Sequence, residues 1–130
     1  MLESISPFFV VGDVARSVRF YEQLGFELRW QSADAPWFAI VGRGPVQVFL
    51  KHIADDVAAQ PNHALHEWAP WDAFVLAPDP DAVAAEFEGR GVTLRQPLTD
   101  RDDGLRGFEI ADPDGYVLFF GRPIAEGGAE

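Results

Sequence analysis

Apolar positions along the chain fall into two matching series. Ile5–Val11 reads as a short strand, after which Val14, Val18, Tyr21 and Leu24 recur at helical spacing. Asp13 is placed to cap that helix, its carboxylate accepting from a free helix N–H, and Gly25 to stop it. Three strand candidates follow: Phe26–Gln31, Trp37–Val41 and Val46–His52. In the second series Asp79 caps and Pro80 takes the first helical position, where its missing N–H costs nothing. Val83, Ala84 and Phe87 form the buried stripe, Gly89 and Gly91 end the helix, and Val92–Leu98, Gly107–Ala111 and Tyr116–Gly121 read as strands. Gly42-Arg43-Gly44-Pro45 and Asp112-Pro113-Asp114-Gly115 are tight turns between the last two strands of each series.

The two series are an internal repeat. An offset of 66 aligns Phe8–Arg29 with Phe74–Arg95, with identities at Phe8/Phe74, Asp13/Asp79, Glu22/Glu88, Gly25/Gly91, Leu28/Leu94 and Arg29/Arg95. An offset of 70 then aligns Phe38–Leu50 with Phe108–Phe120, with identities at Phe38/Phe108, Ile40/Ile110 and Phe49/Phe119. The spacing predicts one α+β domain over residues 1–130, built from two tandem βαβββ modules. Module 1 spans about 5–52, a linker 53–70, module 2 about 71–121, and a tail 122–130, of which Ile124–Glu130 is small, acidic and frayed. One such unit cannot bury both faces of its sheet. The expected architecture is therefore a curved mixed sheet around a cleft, with the helices on its outer face.

Composition narrows the chemistry. The chain of 130 residues carries 21 acidic against 10 basic residues, a formal net charge of −11, which repels phosphate backbones and anionic lipid. Nucleic acid and membrane are not expected partners; a field of that sign attracts a cation. The absence of cysteine excludes disulfides, thiolate metal sites and a cysteine nucleophile. No apolar run is long enough to span a bilayer and the N-terminus has no basic region of a signal peptide, so a cytoplasmic protein is expected. No phosphate-cradling glycine motif, dinucleotide fingerprint or nucleophile elbow is present.

The segments Val11-Gly12-Asp13-Val14-Ala15-Arg16-Ser17-Val18-Arg19-Phe20-Tyr21, Leu24-Gly25-Phe26 and Ile110-Ala111-Asp112-Pro113-Asp114-Gly115-Tyr116 resemble the vicinal oxygen chelate superfamily. That superfamily includes glyoxalase I, extradiol dioxygenases, fosfomycin-resistance enzymes and bleomycin-resistance proteins. The resemblance implies a metal site at four equivalent strand positions, which the repeat places at Ser6, Phe49, Asp72 and Phe119. Only Asp72 among these can ligate an ion, so no metal and no other cofactor is expected. His63, His66 and Glu67 in the linker are read as solvated rather than as zinc ligands, and His52 as a strand end.

The nearest functional analogue is the bleomycin-resistance type, which the chain resembles in its acidity, its Ser6-Pro7-Phe8 strand and its Asp-Pro-Asp-Gly turn. That resemblance implies a stoichiometric binder, a homodimer whose cleft sequesters a planar or cationic antibiotic-like small molecule, rather than an enzyme with catalytic residues. The linker is long enough for modules to pair within a chain or across chains. Phe49, Phe119, Trp37, Trp68 and Trp71 are the candidate stacking residues, and Asp72 and Glu109 the candidate partners of a ligand cation. The alternatives are a metal-dependent lyase, isomerase or dioxygenase of the same superfamily, acid–base catalysis by Glu109 without a metal, or a cleft filled by its own rings.

Overall fold

The computed structural model describes residues 1–124; the expected frayed end of the tail, 125–130, lies outside the described residues. The first module runs β1 (Phe8–Val10), α1 (Val14–Gln23), β2 (Glu27–Gln31), β3 (Phe38–Arg43) and β4 (Val46–Lys51). The second runs β5 (Ala73–Leu76), α3 (Pro80–Gly89), β6 (Gln96–Asp100), β7 (Leu105–Ala111) and β8 (Val117–Pro123). A single turn of helix, α2 (Asn62–Leu65), interrupts the linker, where no element was expected. Strands appear later than expected at β6 and run two residues further at β8, which takes Arg122 and Pro123 out of the tail.

Each module makes its own four-stranded mixed sheet, in the orders β1-β4-β3-β2 and β5-β8-β7-β6. The first strand lies parallel to the last and the other pairs are antiparallel. The helix ends obey the repeat. Asp13 accepts from the Arg16 N–H at 3.1 Å and Asp79 from the Ala82 N–H at 3.2 Å, each cap contributing about 1 kcal/mol. Gly25 and Gly91 both take φ +85°, the left-handed turn that ends a helix and suits glycine. One face of each sheet packs on its helix: Phe9, Ala39, Val41, Val48 and Leu50 under α1, and Phe108, Ile110, Leu118 and Phe120 under α3, with Phe87 edge-on to Phe120 at 5.1 Å.

Register corrects the alignment of the middle strands. Phe49 pairs with Ile40, whereas Phe119 pairs with Glu109. The counterpart of Ile40 is therefore Glu109, not Ile110, and the counterpart of Phe38 is Gly107, not Phe108. Phe38 and Phe108 are identical residues on opposite faces, because a one-residue slip reverses every side chain of a strand. Counted between register-matched residues, Trp30 to Ile40 against Gln96 to Glu109, the second module carries three extra residues, and one more before its last strand.

The modules join through the Asp112–Tyr116 turn. Phe9 stacks on Tyr116 at 4.2 Å, and the Tyr116 hydroxyl donates to Val10 O at 2.7 Å. Tyr21 donates to buried Asp112 at 2.9 Å, and Asp114 accepts from Gly12 N, Arg16 and Ser17 at the start of α1. At the other end Arg43 makes a bidentate pair with Glu86 of α3. The main packing contacts between strands and helices stay within a module, so the two sheets are not layered on each other.

Candidate functional site

Each sheet turns its second face away from its helix, and these two faces hold the candidate site. On the first sheet Phe8 pairs across from Phe49, with Phe38 and Trp30 beside them. Phe38 lies 5.8 Å from Phe49, nearly perpendicular, and 5.7 Å from Trp30. Trp30 and Trp37 are 52% and 53% exposed, so this is an uncovered aromatic surface. Its cations are Arg29, which donates to Gln47 and Gly44 O, and Lys51, whose Nζ lies 5.3 Å above the Trp37 ring.

The second face is built differently. Gly107 and Gly121 stand where the first sheet has Phe38 and Lys51. A Cβ at Gly107 would come within 2.6 Å of the Phe119 ring, and one at Gly121 within 2.5 Å. The ring therefore lies flat over two glycines, and Phe119 is only 1% exposed. Trp71 stacks on it at 4.7 Å and Phe74 at 5.6 Å, with the Arg101 guanidinium 5.4 Å from the Phe119 ring and 5.5 Å from the Trp71 ring. The indole Nε1 of Trp71 is buried with no hydrogen-bond partner among the described residues.

Both candidate carboxylates are engaged by the protein. Glu109 is 2% exposed; Arg95 donates to its Oε1, and Arg101 Nη1 lies 3.7 Å from its Oε2. Asp72 accepts the Asn62 N–H on one oxygen and the Val117 N–H on the other, each at 2.8 Å. It thereby ties the linker to β8. Asp72 also borders an open groove of about 610 Å³, together with Pro7, Phe8, Val10, Gln60 and Tyr116. That volume is within the usual range for a small-molecule site.

Of the seven candidate residues, Trp71, Phe119 and Glu109 come together on the second face, with Asp72 at its edge. Trp37 and Phe49 belong to the first face. Trp68 stands apart, 77% exposed and stacked on His66 at 5.0 Å. Arg95, Arg101, Phe74, Phe38, Trp30 and the two glycines were not singled out from sequence. Strand alternation from Phe119 reaches Gly121, and the Arg29/Arg95 repeat pair marks Arg95, but Arg101 sits at the start of the short connection 101–104 after β6, where the repeat is silent.

The four positions at which the family holds a metal do not fit a divalent ion here. Phe49 and Phe119 offer no donor atom, Ser6 is a weak one, and Asp72 has both oxygens on backbone amides. His63 Nε2–H instead donates to Gly115 O at 2.7 Å, and among the described residues no group of three His, Asp or Glu could hold a metal. No helix among the described residues is long and apolar enough to cross a membrane.

A family model described as the Glyoxalase/Bleomycin resistance protein/Dioxygenase superfamily matches residues 4–120. No curated protein matches the chain. Among solved structures it is similar to a bleomycin-binding protein complexed with bleomycin (TM-score 0.73, 19% identity, 93% of this chain and 98% of that one). It is also similar to a bleomycin resistance determinant encoded on the transposon Tn5 (TM-score 0.72, 17% identity, 95% and 100%). A third likeness is to a glyoxalase/bleomycin resistance protein/dioxygenase from Alicyclobacillus acidocaldarius (TM-score 0.73, 17% identity, 97% and 95%). At these identities the likenesses show a shared fold.

Proposed function

The chain belongs to the glyoxalase/bleomycin resistance protein/dioxygenase superfamily, and within it we propose a binding protein that takes a planar, antibiotic-like small molecule without a metal. The observation that carries this is the floor of the second face, where Phe119 lies flat over Gly107 and Gly121 at a position that elsewhere in the family supplies a metal ligand. The buried Phe119 ring offers no coordination, and Trp71, stacked on it and only partly buried, offers the stacking surface. Trp37 and Phe49 supply the matching surface on the first face, and Asp72 and Glu109 hold the framework around it.

The reading includes a homodimer acting in the cytosol. Phe8, Trp30 and Trp37 on one sheet and Phe74 and Leu76 on the other are exposed apolar side chains that a partner would cover. Pairing the first face of one protomer with the second face of its partner would cover both and enclose two clefts. Sedimentation at micromolar concentration is expected to give twice the chain mass of 14.4 kDa; a monomer would remove the dimer from the proposal.

Tryptophan fluorescence tests the binding claim. With a chelator present, titration with bleomycin and a set of flat aromatic antibiotics is expected to give saturable quenching for at least one. No quenching by any of them up to millimolar concentration would sink the proposal.

A further inference from the structure

The two junctions between the modules are related by the internal repeat, and they are not equally filled. On one side the β7–β8 turn sets Tyr116 against β1. Its ring stacks on Phe9, with centroids 4.2 Å apart and planes 3° from parallel, and its hydroxyl donates to Val10 O at 2.7 Å. On the other side the β3–β4 turn meets β5. Register makes Val46 the counterpart of Tyr116, since Val46 pairs with Arg43 as Tyr116 O accepts from the Asp112 N–H across its own turn. The offset of 66 makes Val75 and Leu76 the counterparts of Phe9 and Val10. Two stacked aromatic rings on one side thus correspond to two valines on the other.

Where those rings would lie there is a cavity of about 190 Å³, lined by Phe26, Val46, Val75, Val83, Phe87 and Phe120. Val75 pairs with Phe120 under α3, so the cavity is on the helix-packed side of the second sheet, away from Phe119. An apolar cavity of about 150 Å³ accepts benzene, so one six-membered ring has room here. Arg43 at the rim is committed to Glu86 and to Leu24 O, which leaves no free charge for an ionic ligand. One polar group is turned toward the space. Ala77 N–H bonds to Gly121 O as Val11 N–H bonds to Lys51 O, so Leu76, which also lines the cavity, directs its carbonyl out from the free edge of its sheet as Val10 does. Val10 O meets the Tyr116 hydroxyl; Val46 has no hydroxyl to offer Leu76 O.

We propose that this cavity is a second binding site, separate from the aromatic faces, for an uncharged phenol-type molecule. Its ring takes the place that the Tyr116 ring fills on the other side, and its hydroxyl donates to Leu76 O. No tryptophan lines the cavity, so its occupancy is read apart from quenching at the open faces and is independent of the planar-ligand reading.

Calorimetric titration of the intact protein with phenol, toluene and benzoate tests this. Phenol is expected to bind one per chain with Kd at or below about 1 mM. Toluene should bind about fivefold more weakly for want of one hydrogen bond, and benzoate not at all, because its carboxylate would be buried unpaired. Val46→Tyr should fill the cavity from within and abolish phenol binding, and Val75→Phe should weaken it. Diffraction from wild-type crystals soaked in 4-bromophenol locates the probe by its bromine and needs neither variant to fold; density between Val75 and Phe87 is expected. No saturable phenol binding up to millimolar concentration, toluene or benzoate binding as tightly as phenol, phenol affinity unchanged in folded Val46→Tyr protein, or bromine found only against Phe49 or Trp71 would each overturn the proposal.

Discussion

Phe49 and Phe119 occupy equivalent places in two copies of the same module, yet one ring stands in a crowd and the other lies on a floor. The neighbours decide it. Phe49 meets Phe38 edge-on and shares an uncovered surface with Trp30. Phe119 has glycines where the first sheet has Phe38 and Lys51, so its ring drops onto the backbone and is roofed by Trp71, Phe74 and Arg101. The repeat thus preserves the sheet and its helix while the two open faces diverge, the first apolar and exposed, the second flat and held by a buried carboxylate between arginines.

The contrast is broken most forcefully at its two phenylalanines. Phe119→Ala should cost about 3–5 kcal/mol in chemical denaturation, as for a fully buried ring, and Phe49→Ala about 1–2 kcal/mol because its ring is only partly buried. Equal costs would mean that the two faces are not different. Filling the floor is the next test. Gly107→Ala should destabilise by about 2–3 kcal/mol, since its Cβ meets the Phe119 ring and the β8 backbone.

Acidification probes the junction from which both faces hang. Burial pushes the Asp112 carboxyl up to about 6, against the opposing pull of its bonds from Tyr21 and the Asp114 and Tyr116 amides. A raised folded value means that the folded state binds the proton more tightly than the unfolded chain does. Stability from this group therefore rises as pH falls from about 6 toward 4, by about 2 kcal/mol, and is absent above 6. His52 is raised too, by its bond to Val11 O and then by Asp55, so it stabilises at low pH and loses that contribution as pH rises through its folded value. Asp81, Glu86 and Asp103 are lowered by Arg106, Arg43 and Arg101 and oppose both only at lower pH. Denaturation midpoints should be higher near pH 5 than near pH 8, and Asp112→Asn should flatten the difference. The smallest effect is expected for Glu109→Gln, about 1 kcal/mol, because Arg95 and Arg101 keep access to water once their counter-ion is neutral.

Much of the fold is written locally. Asp13 with Gly25 and Asp79 with Gly91 mark both helices through caps whose chemistry needs no tertiary partner. The faces are less legible. Phe38/Phe108 and Ile40/Ile110 match as letters, but pairing places them on opposite sides of their sheets, and register is a long-range property that a single strand does not carry. The position of Phe119 follows from its spacing after Asp112-Pro113-Asp114-Gly115; its flat posture depends on Gly107, a cross-strand neighbour. Glu109 reads as a cleft carboxylate until Arg95 and Arg101 are found against it.

Thermal unfolding of the purified protein, with and without added ions and ligand, tests the central claim most directly. Zinc, nickel and manganese should leave the midpoint unchanged and elemental analysis should find less than about a tenth of an equivalent of metal, while a saturating flat aromatic ligand raises the midpoint. Stoichiometric metal in the purified protein, or a midpoint that rises with the ions and not with any flat ligand, would contradict the account.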